Sequence, residues 1–200
     1  MALLALAWLL YVFLHSLLAT RFCKRLVEKL SPRALIYYRL FYNIFATITI
    51  VLVIHFQFSI EAPGIYQATA TLKVFGYGFA ILGLLIIIGA FITYPFIEFA
   101  GLDIFLKREK TENKLIARGL SKQVRHPLYL GLFLIAWGIF TALPKPPHLI
   151  MAITFTLYIY IGLRIEERRL LQEFGDAYRQ YRKNTPFLFP LKLFKINGRK

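Results

Sequence analysis

PLYLGLFLIAWGIFTALPKPPHLIMAITFTLYIYIGL, residues 127–163, decides the fold class. It holds two apolar runs, 127–143 and 149–163, broken only by the proline-rich PKPPH. A tight proline turn between two apolar runs predicts an antiparallel helical hairpin. His148 sits in that turn and reads as an interfacial residue, not a ligand.

Three further apolar segments precede the hairpin, at about 1–20, 35–56 and 72–96. A helix needs roughly 20 apolar residues to cross a bilayer. The 200-residue chain is 58% hydrophobic, with a mean hydropathy of +0.58, against about 45–50% apolar in soluble domains. The expected fold is an all-α integral membrane protein of about five transmembrane helices.

The net charge of +15 invites a nucleic-acid reading, but its distribution argues for topology. Loop 21–33 carries five Lys/Arg against Glu28; loop 97–126 carries seven against four acids; the stretch from 164 carries ten against four. The intervening connections hold only Glu61 (57–71) and Lys145 (144–148). Such alternation predicts the N-terminus outside and the C-terminus cytoplasmic, and no nucleic-acid partner. The opening run lacks a basic n-region, so it reads as a retained span and not a signal peptide. One cysteine, Cys23, permits neither an internal disulfide nor a cysteine metal site, and no metal is expected.

Within the spans, Gly76, Gly78, Gly83, Gly89 and Ala90 predict a close helix contact, and Pro95 an end or kink. His15 and His55, expected in the middle or outer part of their spans, read as hydrogen-bonded packing residues. Arg39 either snorkels to headgroups or faces a polar pocket. The basic tail, 191–200, either lies on anionic lipid or is a disordered end.

Chemistry concentrates where the hairpin meets water. In RHPLYLG, residues 125–131, Pro127 suits the first helical position and holds His126 outside the helix. The helix start there favours anions, and Arg125 serves it or anchors to lipid phosphate. Across the hairpin, RIEERRLLQEFGDAYRQYRKNTPFLFP (164–190) brings Glu166 and Glu167 out at the same depth. Glu167 shares a helical stripe with Leu171, Phe174 and Tyr178, while Arg169, Gln172, Glu173 and Asp176 fall on the polar side. An inward carboxylate needs a partner, either Arg125 or Arg164, or a cationic ligand.

These two elements resemble the isoprenylcysteine carboxyl methyltransferase and phospholipid methyltransferase superfamily over about residues 113–190. LHSLLA and YRLFYN, earlier in the chain, are similar to its NnrU and methanethiol S-methyltransferase branch. The resemblance implies a membrane-embedded methyltransferase that uses S-adenosylmethionine. Carried over by position, Leu115, Ile116, His126, Tyr129 and Glu166 bind the cofactor, with Gly175, Tyr178 and Tyr181 in support. Glu167 and Arg125 are the candidate catalytic residues. The implied division is 1–112 for three spans, 113–190 for the catalytic region and 191–200 for the tail. Two departures stand out. Gly119-Leu120-Ser121 replaces a Gly-x-Tyr element, and Gly162 stands near the position of an arginine that touches an isoprenylcysteine substrate. The acceptor is expected to be lipophilic or small and apolar: a thiol, a prenylcysteine-like group or a phospholipid amine. Two alternatives are an NADPH-dependent sterol-type reductase sharing the hairpin and a non-enzymatic NnrU-like membrane protein.

Overall fold

The computed structural model describes residues 1–93, 96–106, 115 and 117–189, with the side chains of 98 and 99 left aside. Ile116, Pro95 and the tail from 190 lie outside the described residues, so the expectations placed on them are not addressed by it.

The described chain is helical: α1 (Ala2–Ala19), α2 (Arg21–Leu30), α3 (Pro32–Ser59), α4 (Ala70–Thr93), the short α5 (Phe96–Ala100) and α6 (Asp103–Leu106), α7 (Pro127–Ala142) and α8 (Pro146–Asn184). By length and composition α1, α3, α4 and α8 can each cross a membrane, and α7 is a shorter apolar helix. These correspond to the five apolar segments of the sequence. Of the 39 residues of α8, the part before Gly175 is about 44 Å long, well beyond a hydrocarbon core. Only its apolar first half belongs to the spanning bundle; the charged second half projects from one end.

That end is the basic one. Here the structure adds a helix where charge alone suggested a loop. Phe22, Leu26 and Leu30 recur every four residues among basic ones, the pattern of an amphipathic helix, and form one face of α2. Side-chain caps mark the starts of α2 and α3. Thr20 accepts from the Cys23 amide at 3.3 Å, and Ser31 from the Ala34 amide at 3.3 Å. Pro32 then starts α3.

Glycine sets the tightest contact in the bundle, between α4 and α7. A Cβ on Gly76 would stand 2.7 Å from the Gly138 carbonyl, and one on Gly83 2.5 Å from the Gly131 carbonyl. The reciprocal positions are equally close: a Cβ on Gly131 would lie 2.7 Å from Gly83 O, and one on Gly138 2.6 Å from Gly76 O. Two glycines seven residues apart on each helix let the backbones meet. In lipid, where apolar burial no longer drives association, such van der Waals contact does.

The hairpin of α7 and α8 closes at residues 143–145 and is pinned by Trp137 Nε1 donating to Thr156 Oγ1 at 2.9 Å. At its turn His148 is packed inside the bundle. It is 4% exposed, and its Nδ1 lies 2.9 Å from Gln57 Nε2. Gln57 in turn accepts from Trp8 Nε1 at 2.9 Å. A buried polar group needs a partner, and this chain links α1, α3 and α8. The surrounding core holds Leu4, Trp8, Ala136, Met151, Phe155, Ile159 and Leu163.

Candidate functional site

Pro127 opens α7 with His126 as its N-cap residue, at φ −126° and ψ 66°. As the sequence predicts, the imidazole is held outside the helix. It is 4% exposed, and its Nε2 lies 2.8 Å from Glu167 Oε1. Four side chains converge on that carboxylate. Tyr178 donates its hydroxyl to Oε1 at 2.5 Å. Arg125 Nε stands 3.2 Å from Oε1, close enough for an ion pair but off the line of a hydrogen bond. Arg182 Nε reaches Oε2 at 3.2 Å.

Burial works against charge on Glu167, but the hydrogen bonds from Tyr178 and His126 and the Arg125 guanidinium outweigh it. Its carboxyl is held below the usual range. Burial and the Glu167 carboxylate push the Tyr178 hydroxyl up, so it stays a donor. Arg164, the other partner weighed for the inward acid, instead donates to Tyr160 at 3.0 Å.

Tyr178 reaches Glu167 because α8 is not one straight helix. Gly175 adopts φ +52° and ψ −122° inside it. A Cβ there would meet nothing within 4 Å, so the glycine serves conformation, not space. The stripe read from the sequence stops at this kink, and the following turn swings Tyr178 back onto the acid.

The chain beyond α8 straps the site. The Arg125 amide donates to the Pro186 carbonyl at 3.0 Å. Arg125 lies over the Phe187 ring at 5.3 Å, and Phe187 packs on His126 with centroids 5.5 Å apart. Tyr181 donates to the Ser121 carbonyl at 2.5 Å, fixing the segment that enters α7. Gly119, at φ +58°, turns that segment against Thr93 at the end of α4.

Glu166 has a different setting. Adjacent helical residues point about 100° apart, so it faces away from the cationic cluster. Its charge bears on the hydroxyls of Tyr129 and Tyr158, which lie near it. Among the described residues no Lys or Arg forms an ion pair with it. Tyr129 bridges the two settings, its ring 6.0 Å from that of His126. Its hydroxyl also lies against Gly162, where an added Cβ would stand 3.4 Å from it. Leu115 is half-buried.

The structure thus brings His126, Tyr129, Arg125, Glu166 and Glu167 to one end of the hairpin. Arg182 joins them, a participant the sequence reading did not single out. Its only signal was a cation one helical turn beyond Tyr178. On the outer side of Arg125, a cleft of about 700 Å³ is lined by Arg125, Asp176, Arg179, Gln180, Arg182 and Lys183.

Comparison with known proteins adds the chemistry. A methanethiol S-methyltransferase of Pseudomonas deceptionensis is 44% identical over 71 residues, 36% of this chain and 26% of that protein. One from Crocosphaera subtropica is 31% identical over 115 residues, 56% of this chain and 44% of that protein. The protein-S-isoprenylcysteine O-methyltransferase of Schizosaccharomyces pombe is 37% identical over 89 residues, 42% of this chain and 36% of that protein. The chain therefore spans well under two thirds of these relatives. No solved structure matches it. The phospholipid methyltransferase family matches residues 71–177, from α4 through the hairpin to the Glu-Glu pair and Gly175, and by that match over more than half its length the chain belongs to this family.

Proposed function

We infer that this protein is a membrane-embedded methyltransferase that uses S-adenosylmethionine and methylates a small apolar thiol. One observation carries the reading. Of two neighbouring carboxylates, Glu167 is neutralised by Arg125 and Arg182 and hydrogen-bonded to His126, while Glu166, beside two tyrosines, is left for a cation. A half-buried carboxylate lined by aromatic rings suits a sulfonium or ammonium group. The residues present therefore fit the donor. Glu166 and Tyr129 would hold its cationic part, with Leu115 against an apolar part. The donor, when bound, supplies an activated methyl group. The protein's task is then to orient the acceptor and keep water out.

Glu167 and Arg125 act in this reading as positioning residues. They bind each other and lock His126 against the strap, so neither is free to move a proton. The thiol class rests on the methanethiol S-methyltransferases among the relatives. The basic end faces the cytoplasm, following the Lys/Arg distribution.

Calorimetry on the purified protein tests the reading. S-adenosylhomocysteine should bind and NADPH should not; the reverse supports the reductase. Glu166→Gln should weaken S-adenosylhomocysteine binding by about 10-fold or more, the order of one charge-assisted contact. Glu173→Gln, on the exposed face, should change it less than about 2-fold. Equal losses would sink the assignment of Glu166. Radiolabelled transfer to thiols, prenylcysteines and phosphatidylethanolamine identifies the acceptor.

A further inference from the structure

A thiol acceptor must lose a proton, and the cluster around Glu167 offers no place for it. The carboxylate is held ionised by four partners, and the Nε2 of His126 is directed at it. A second group of titratable side chains lies deeper in the bundle, outside that cluster. His15 is on α1, four residues from its end, so it sits at the basic end and not in the middle or outer part of the span. The Tyr42 hydroxyl, from α3, stands 3.1 Å from both ring nitrogens. Tyr11 of the same helix is 5.7 Å away between centroids, and Tyr158 of α8 is 6.2 Å away. Tyr158 in turn lies 6.5 Å from Tyr129. An unbroken row of rings therefore runs from Tyr42 and His15 through Tyr158 to Tyr129, which lies near Glu166.

The two buried-bundle histidines differ instructively. His148 is sealed at 4% exposure and bonded to Gln57, as a packing histidine should be. Tyr11, His15, Tyr42 and Tyr158 each keep part of their surface open, and one hydroxyl stands beside both nitrogens of His15. An oxygen equidistant from the two lies off the outward line of each, so in the neutral ring the unprotonated nitrogen keeps its lone pair. An ionisable group within a spanning segment, unsealed and joined through the Tyr158 ring to the candidate site, points to function.

We propose that this row is the acceptor site, and that His15 takes the proton of the thiol. The inference rests on the methyltransferase reading above and names the base it lacks. The thiol packs against the rings of Tyr11, Tyr158 and Tyr129. Its S–H bond breaks, the electron pair stays on sulfur, and the proton passes to the free imidazole nitrogen. The sulfur forms the new S–C bond as the donor's S–C bond breaks and that pair returns to the donor sulfur. The imidazolium then gives its proton to water.

The test uses the full chain and two thiols of similar size. 2,2,2-Trifluoroethanethiol ionises far more readily than ethanethiol and needs a base less. His15→Gln should lower the rate with ethanethiol by about 100-fold, within the usual range for a general base, and with trifluoroethanethiol by less than about 10-fold. S-adenosylhomocysteine binding should stay within about 2-fold of the parent. Equal losses with both thiols, or none, would overturn the assignment of His15 and leave the methyltransferase reading standing. A parent protein that binds S-adenosylhomocysteine yet methylates neither thiol would overturn the thiol reading itself. A measurement without turnover completes the test. In ring-labelled protein without donor, ethanethiol should move the His15 resonances and not those of His148; unmoved His15 resonances would refute the site.

Discussion

Replacing Glu167 with Ala should be among the most damaging single changes in this chain, and the structure gives the size. The side chain of Glu167 is 11% exposed, that of Arg125 8% and that of His126 3%. Removing the acid leaves a buried guanidinium without its counter-charge, a loss typically of about 3–5 kcal/mol. Tyr178, fully buried, also loses its acceptor, which by itself costs about 1–3 kcal/mol. These terms share one carboxylate and do not add, so the net expectation is about 3–5 kcal/mol. Arg182, with 44% of its side chain exposed, turns to solvent at little cost. For a chain of this size that corresponds to a fall in Tm of roughly 6–20 °C, followed by tryptophan fluorescence in detergent. Asp176→Asn is the control: its pair with Arg179 is open to water, with 91% of the Asp176 side chain exposed, so its effect should stay within about 0.5 kcal/mol. Acid titration gives a second reading. The Glu167 carboxyl is held below its ordinary value. Its ionised form therefore stabilises the fold fully above about pH 4.3, the usual glutamate value. That contribution fades as pH falls through the lower folded value. Glu167→Gln should flatten this acid limb. A Glu167→Ala protein within about 1 kcal/mol of the parent would refute the claim that the cluster holds the hairpin and strap together.

Two further outcomes test the bundle itself. Gly83→Ala would place a Cβ 2.5 Å from the Gly131 carbonyl, whereas one on Gly78 meets nothing within 4 Å; the first should lower Tm and folded yield, and the second should not, as size-exclusion and thermal melts will show. Cys23, the single cysteine, stands at the basic end in α2, so a membrane-impermeant maleimide should label it in inverted vesicles and not in right-side-out ones. The opposite pattern would reverse the proposed orientation.

The spans and the convergence of the candidate site residues were legible because each is written in local contrast. Apolar runs mark the helices, and Arg125-His126-Pro127 and Glu166-Glu167 mark the points where those runs meet charge. What was not legible depended on contacts across the bundle. Gly175 reads as one residue in a helical stripe, and nothing local says that its φ is positive. His148 looks interfacial beside prolines, and only the packing of α1, α3 and α8 seals it against Gln57. The row through Tyr42, His15, Tyr158 and Tyr129 draws on four helices whose neighbourhood no periodicity encodes. The basic stretch 21–33 hid α2, since charge drew notice before the four-residue spacing of Phe22, Leu26 and Leu30.

The Glu-Glu pair shows how one dipeptide serves two ends. A 100° turn of helix separates the two side chains. It sends Glu167 toward the start of α7 and the strap, and Glu166 toward Tyr129 and Tyr158. Two carboxylates at one depth in an apolar bundle would each demand a cation. Arg125 and Arg182 meet that demand at Glu167, with His126 as a hydrogen-bond partner, and together they tie the start of α7 to both halves of α8. In the reading proposed above, Glu166 takes the cation of a ligand instead. The two positions should therefore fail differently: loss of Glu167 disorders the frame and weakens binding with it, whereas loss of Glu166 weakens binding in a frame that still melts like the parent.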